Sequence, residues 1–145
     1  MTSEFQDCLT RGKLKSFSQG MGLCEKELRI AKEDYVIATK SFEDKNYRWA
    51  IIQTYYSMFH SARALLYSKN FREKSHYCLI QAINELFVKE GLLSVIFLDA
   101  IIEAKQLREV ADYYGDFSDS NAEKLIGHAD RFIKRSEEIL NNEPK

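Results

Sequence analysis

Proline is almost absent from this chain: the only one among 145 residues is Pro144, at the tail. Proline removes a helical hydrogen bond and clashes with the preceding turn, so a chain without an internal one is free to be helical throughout. Cysteine is scarce too. Cys8, Cys24 and Cys78 lie far apart with no CxxC pair. That spacing points to neither a zinc site nor a disulfide framework, and each is expected as a small core residue. No apolar run reaches the roughly 18 residues that would span a bilayer. No charged-then-apolar leader opens the chain, so no membrane association is expected and the expected location is cytoplasmic. An excess of one charge is missing as well, with 21 basic against 22 acidic side chains and a formal net charge of −1. Phosphate affinity comes from clustered lysine and arginine. The balance therefore excludes charge-driven nucleic-acid binding over the whole surface and leaves room for a local basic patch.

Motifs that announce a chemistry are also few. None of the three histidines is paired at i, i+4, the spacing that sets two metal ligands on one helix face. There is no glycine-rich phosphate loop and no nucleophile elbow, so neither metal nor cofactor is expected. No segment alternates for long enough to argue a strand, and no repeat of about 34 residues marks a helical-repeat scaffold.

What the chain has is helical periodicity. Residues 1–21 lack a steady period and read as an arm or a short helix. A first helix over 22–43 carries the stripe Cys24, Leu28, Ala31, Tyr35, Ala38 and Phe42, and "EDKN" makes the turn. A second over 46–69 has the broad apolar face Ile51, Ile52, Tyr55, Met58, Phe59, Ala62, Leu65 and Leu66, suited to a central position. Ser75 caps a third over 75–90, which Gly91 ends. A fourth spans 94–114 with Phe97, Ile101, Ala104 and Ala111 in line. A fifth spans 120–141, with Ser120 and Glu123 at capping-box spacing. Short connections favour antiparallel neighbours. The expected fold is all-α: an up-and-down bundle of about five helices, four in the core plus one, over 22–141, with a tail at 142–145.

Polar residues interrupt these apolar faces in three places. Tyr56, His60, Arg63 and Tyr67 are spaced four, three and four residues apart, so they form one stripe on the second helix. Two readings are open: a seam in which these groups satisfy one another, or a groove for a nucleotide, RNA or partner helix. Arg108 stands on the fourth helix where an apolar residue would be expected. Asp112, one turn later, offers an ion pair; the alternative is an arginine aimed into a cleft or across a subunit interface to hold phosphate. His76 opens the third helix just after Arg72 and Lys74, either as a structural histidine or as part of a basic, anion-binding helix N-terminus. His128, among Lys124, Arg131 and Arg135, belongs to a solvated face.

The ordered set of Tyr47 and Ala50, "YYSMFHSARALL", "KSH" ending at His76, and Arg108, Ala111, Asp112 and Tyr113 resembles the small prokaryotic HEPN proteins. The resemblance runs over about residues 24–140. It implies an antiparallel bundle, a homodimer, and partnership with a minimal nucleotidyltransferase in a toxin–antitoxin-like pair. It also implies a metal-independent ribonuclease motif, R-x4-6-H, in which histidine does acid–base work and arginine stabilises the phosphorane. Arg108 matches the motif's arginine, but Asp112 and Tyr113 stand four and five positions on, and no histidine follows. Arg72 and His76 make only R-x3-H, in another element. The sequence reading is therefore a HEPN-like protein that binds a nucleotide, RNA or a nucleotidyltransferase partner. Its ligand residues are Arg108, Asp112, Tyr113, Tyr56, His60 and Arg63, with Tyr113 or Tyr114 as targets of nucleotide transfer. Two alternatives stand beside it: a ribonuclease toxin using Arg108 with His76 or His60, and a plain protein-interaction bundle.

Overall fold

The computed structural model describes residues 1–109 and 117–142. The periodic stretches are helices, α2 Cys24–Glu43, α3 Tyr47–Ser68, α4 His76–Ile83, α5 Val95–Glu109 and α6 Asp119–Asn141, and the arm before them holds a short helix, α1 Ser3–Thr10. The expectation of a mostly helical bundle holds, with α3 at its centre. Packed against α2, α4, α5 and α6, α3 buries Ile51, Tyr55, Met58, Leu65 and Leu66 completely. Side chains this apolar and this numerous each contribute about 1.5–3 kcal/mol on burial, which is why the broad-faced helix takes the middle.

Helix α2 folds back along α3 through a turn at 44–46, where Lys45 takes a left-handed φ of 62°. Ser57 donates to the carbonyl of Ala31 across this hairpin, with Ala31 and Ala38 fully buried so that the helices approach closely. Ser75 caps α4 by accepting from the Cys78 N–H at 3.1 Å. The helix widens to a π turn over Asn84–Val88, and Gly91 closes it with φ +76°.

Four details differ from the sequence expectation. A short antiparallel ribbon, β1 Leu14–Ser16 with β2 Phe71–Glu73, pairs Leu14 with Glu73, Lys15 with Arg72 and Ser16 with Phe71. Three-residue strands are too short to show alternation. Cys8 and Cys78 are joined in a disulfide that clamps α1 to the first turn of α4, while the buried Cys24 thiol donates to the Ala64 carbonyl at 3.3 Å. The cap of α6 is Ser118, which accepts from the Asn121 N–H, rather than Ser120. The turn before α2 is a 3-10 helix over Gly20–Leu23, and a Cβ at Gly20 would sit 2.5 Å from the Tyr67 carbonyl. Only glycine lets that turn lie against the end of α3.

Candidate anion-binding site

The polar stripe of α3 divides into two clusters. Toward its C-terminal half, His60 and Arg63 are met by carboxylates from other elements. His60 Nδ1–H donates to Glu27 Oε2 at 2.6 Å, and Nε2 lies 4.0 Å from Asp34. Arg63 donates from Nε and Nη2 to Glu73 Oε2 at 3.2 and 2.8 Å, and its Nη1 lies 3.9 Å from Glu27. Its guanidinium also covers the Phe59 ring at 4.4 Å. Burial works against the Arg63 charge, but the bonds to Glu73 outweigh it and the net shift is upward. Burial pushes the Asp34 carboxyl up, with His60 opposing. The seam is thus satisfied, though not by its own members: Glu27 of α2 and Glu73 of β2 supply the acceptors. Tyr67 packs on Phe17, ring centroids 5.1 Å apart.

The second cluster lies nearer the N-terminus of α3 and is built from tyrosines. Tyr55 is fully buried, yet its hydroxyl reaches His76 Nδ1 at 2.5 Å. Burial, partly offset by Arg108, raises the Tyr55 pKa far above the usual phenol range. It lowers that of His76, assisted by Arg108 and then Lys105. Both shifts favour the uncharged phenol and the uncharged imidazole; with the phenol as donor to Nδ1, the imidazole hydrogen stands on Nε2. Phe59 packs against the same imidazole, ring centroids 4.5 Å apart.

Arg108 comes to this cluster from the last turn of α5. Its Nη1 donates to the Tyr56 hydroxyl at 2.6 Å, and its guanidinium lies 5.0 Å from the Tyr55 ring and 5.5 Å from the Tyr56 ring. No carboxylate pairs with it among the described residues, and its Nε is buried without a hydrogen-bond partner. Glu109, the neighbouring acid, is bound instead by Lys105 at 2.6 Å.

Of the residues singled out in the sequence, Tyr56, His76 and Arg108 come together, whereas His60 and Arg63 belong to the acid-balanced cluster. Asp112, Tyr113 and Tyr114 lie outside the described residues. His128 accepts from Arg131 at 3.1 Å on the outer side of α6. Sequence reasoning missed Tyr55, which it assigned only to the core, together with Glu27 and Glu73. Glu27 left a signal: it sits within the stripe of Cys24, Leu28 and Ala31, an acid where an apolar residue belongs. Glu73 left none while its strand went unrecognised. Among the described residues no group of acids, histidines and cysteines is placed to hold a metal ion, and no helix is long and apolar enough to cross a membrane.

Comparison with known proteins agrees with this architecture. The HEPN domain matches residues 24–139. A protein of Methanocaldococcus jannaschii named "Putative toxin" is 38% identical over 114 residues, covering 78% of this chain and 85% of its own length. A second protein of that name from the same organism is 27% identical over 118 residues, 80% of each chain. A UPF0332 protein of Gloeobacter violaceus is 29% identical over 143 residues, 97% of this chain and 98% of its own. With α2 to α5 and all but the last two residues of α6 inside the matched span, the chain belongs to the HEPN domain family.

Proposed function

We propose that this toxin-like HEPN protein binds the phosphate of an RNA or nucleotide between Arg108 and His76. One observation carries the reading: two donors from different helices converge on a single buried tyrosine ring, with no carboxylate paired to either among the described residues. His76 presents Nε2–H and Arg108 the rest of its fork. Tyr56 fixes the guanidinium without neutralising it. A cation that is half-withdrawn from water and, among the described residues, held by a phenol with no paired carboxylate is poised for an anion, and the planar fork suits phosphate. The relatives' toxin names support a place in a toxin–antitoxin-like pair. In that setting the partner is a minimal nucleotidyltransferase, the working form is a homodimer, and Asp112 and Tyr113 extend the cleft, with Tyr113 or Tyr114 receiving the nucleotide.

A second reading, a metal-independent ribonuclease, is favoured by the same placement of His76 beside Arg108. The RNA 2′-hydroxyl would attack phosphorus and expel the 5′-oxygen, its proton passing to that oxygen through water, while His76 Nε2–H and Arg108 hold the phosphorane charge. One experiment addresses both readings. Titrate a labelled single-stranded RNA and a nucleoside triphosphate, with chelator present, into wild type, Arg108→Ala and His76→Ala, then run the RNA on a gel. Each substitution should weaken binding about tenfold or more, since a hydrogen bond to a charged group contributes about 1.5–3 kcal/mol. Intact RNA supports binding alone. Cleavage by wild type that Arg108→Ala abolishes selects the ribonuclease. A wild type that binds neither ligand leaves the protein-interaction bundle.

A further inference from the structure

Alternation along the β1–β2 ribbon sends Leu14 and Glu73 inward, where they are buried, and leaves Lys13, Lys15, Arg72 and Lys74 on the outer side, all exposed. The register sets Lys15 directly opposite Arg72, and the Lys74 N–H donates to the Lys13 carbonyl. Same-face residues on a strand are about 7 Å apart and paired strands about 5 Å apart, so four cations share a patch narrower than the Debye length of about 8 Å at physiological salt. Like charges directly opposite across a ribbon destabilise it. Here they are unrelieved: none of the four has a carboxylate partner among the described residues, and only Arg72 has an aromatic one, its guanidinium 5.3 Å from the Phe17 ring. Close contact with Lys15, with Lys13 and Arg72 adding, lowers the Lys74 pKa from its ordinary value.

The ribbon is nevertheless held firmly in place. Cys8–Cys78 ties the arm to α4, and the Lys13 N–H donates to the Cys8 carbonyl at 2.9 Å. Strand β2 runs, within three residues, into His76. The residue after His76, Tyr77, is 53% exposed at the head of α4. Two of the four cations precede residue 24, where the HEPN match begins.

We propose that the outer face of the β1–β2 ribbon is a track for the phosphodiester backbone of single-stranded RNA, with Tyr77 as a stacking platform, leading the strand to the Arg108–His76 site. Four unpaired cations beside an exposed aromatic fit a polyanion that carries bases better than an acidic peptide. The inference rests on the phosphate-binding reading of that site and names its substrate: a strand rather than a free nucleotide.

The test measures anisotropy of a fluorescein-labelled single-stranded RNA of mixed sequence. It compares wild type with a variant carrying Lys13→Gln, Lys15→Gln, Arg72→Gln and Lys74→Gln together. The control carries Arg29→Gln, Lys32→Gln, Lys134→Gln and Arg135→Gln, an equal charge change at cations that have acidic partners. Titrations at salt from about 50 to 200 mM give the slope of log affinity, which should fall by about 3 in the ribbon variant at about 0.7 per phosphate contact. Affinity at about 0.1 M salt should drop at least tenfold, while the control stays near wild type and melting curves show all three proteins folded.

Unchanged affinity and slope in the ribbon variant would overturn the track. So would an equal loss in the control, or equal binding of polyglutamate, which would mark an acidic protein partner. If the ribbon variant stays wild-type while Arg108→Ala loses RNA, the track fails and the site stands. If the ribbon variant loses RNA while Arg108→Ala and His76→Ala do not, the track stands and the site reading fails. A wild type that binds no RNA sinks the track, and the site stands only if the nucleoside triphosphate still binds.

Discussion

The two clusters along α3 contain the same two residue types, a histidine and an arginine, and differ in what surrounds them. Around His60 and Arg63 stand Glu27, Asp34 and Glu73; around His76 and Arg108 stand Tyr55, Tyr56 and Phe59. The first is closed electrostatically. Arg63 forms two bonds to a carboxylate that is only 4% exposed, and a second carboxylate, Glu27, lies 3.9 Å from its Nη1. In the second, phenols orient the imidazole and the guanidinium, and among the described residues no carboxylate pairs with either. Polarity inside an apolar helix face is thus not one signal. Its meaning is set by the partners that other elements bring, and those partners are what the stripe on α3 could not show.

The comparison can be broken first where the clusters share a support. Residues 71–78 supply Glu73 to one and His76 to the other, and the Cys8–Cys78 bridge pins this segment to the arm. Closing a loop with a sequence separation of 70 constrains the unfolded chain by about 4 kcal/mol in the entropy model. Cys8→Ala with Cys78→Ala should therefore lower the melting temperature by roughly 12 °C, at about 3 °C per kcal/mol for a chain of this size. Calorimetry under oxidising conditions measures it. A loss below about 1 kcal/mol would show that the arm holds without its clasp.

Glu73→Ala separates the two. It leaves Arg63 with only the distant Glu27, and a half-buried guanidinium stripped of its partner costs about 3 kcal/mol. Urea denaturation should register that loss, while RNA affinity per folded molecule stays within about twofold, well inside the 1.4 kcal/mol that a tenfold change represents. If stability held and affinity collapsed instead, the acid-balanced cluster would be the working site and the contrast drawn between them would be reversed.

How much of this was legible follows from range. Each helix from α2 onward declared itself through contacts three and four residues apart: the stripe of α2, the broad face of α3, Ser75 as a cap, Gly91 as a stop. Arg108 and His76 were conspicuous singly, as a cation and an imidazole on apolar lines. What stayed hidden was every relation across tens of residues. Tyr55 meets His76 across 21 positions, Tyr56 meets Arg108 across 52, and Cys8 meets Cys78 across 70. A lone cysteine reads as a small core residue until its partner is seen. The ribbon escaped because two strands of three residues cannot establish a period of two. For the same reason the row of cations on its outer face was invisible, although the near-neutral net charge had left room for a local patch.

The smallest effect is the most diagnostic for the tyrosine-framed cluster. The pKa of His76 is depressed in the folded protein, by burial first and by Arg108 and Lys105 next. The unfolded chain therefore binds a proton more readily than the folded one once the pH falls below the free histidine value of about 6.5. Stability associated with His76 is complete above that pH and drains away as the pH falls toward the folded-state value. The slope is bounded at about 1.4 kcal/mol per pH unit, since one group exchanges at most one proton. His76→Gln should flatten this stretch of the stability–pH curve, as read by urea denaturation at steps between about pH 7 and 5. His128 must be removed from the account, because burial and Arg131 lower its pKa as well; the comparison is best made in a His128→Gln background. Arg108→Ala should flatten the same stretch in part, because it withdraws the influence on the imidazole that ranks next after burial. If neither substitution changed the slope, the neutral, donor-presenting His76 on which the anion site depends would be wrong.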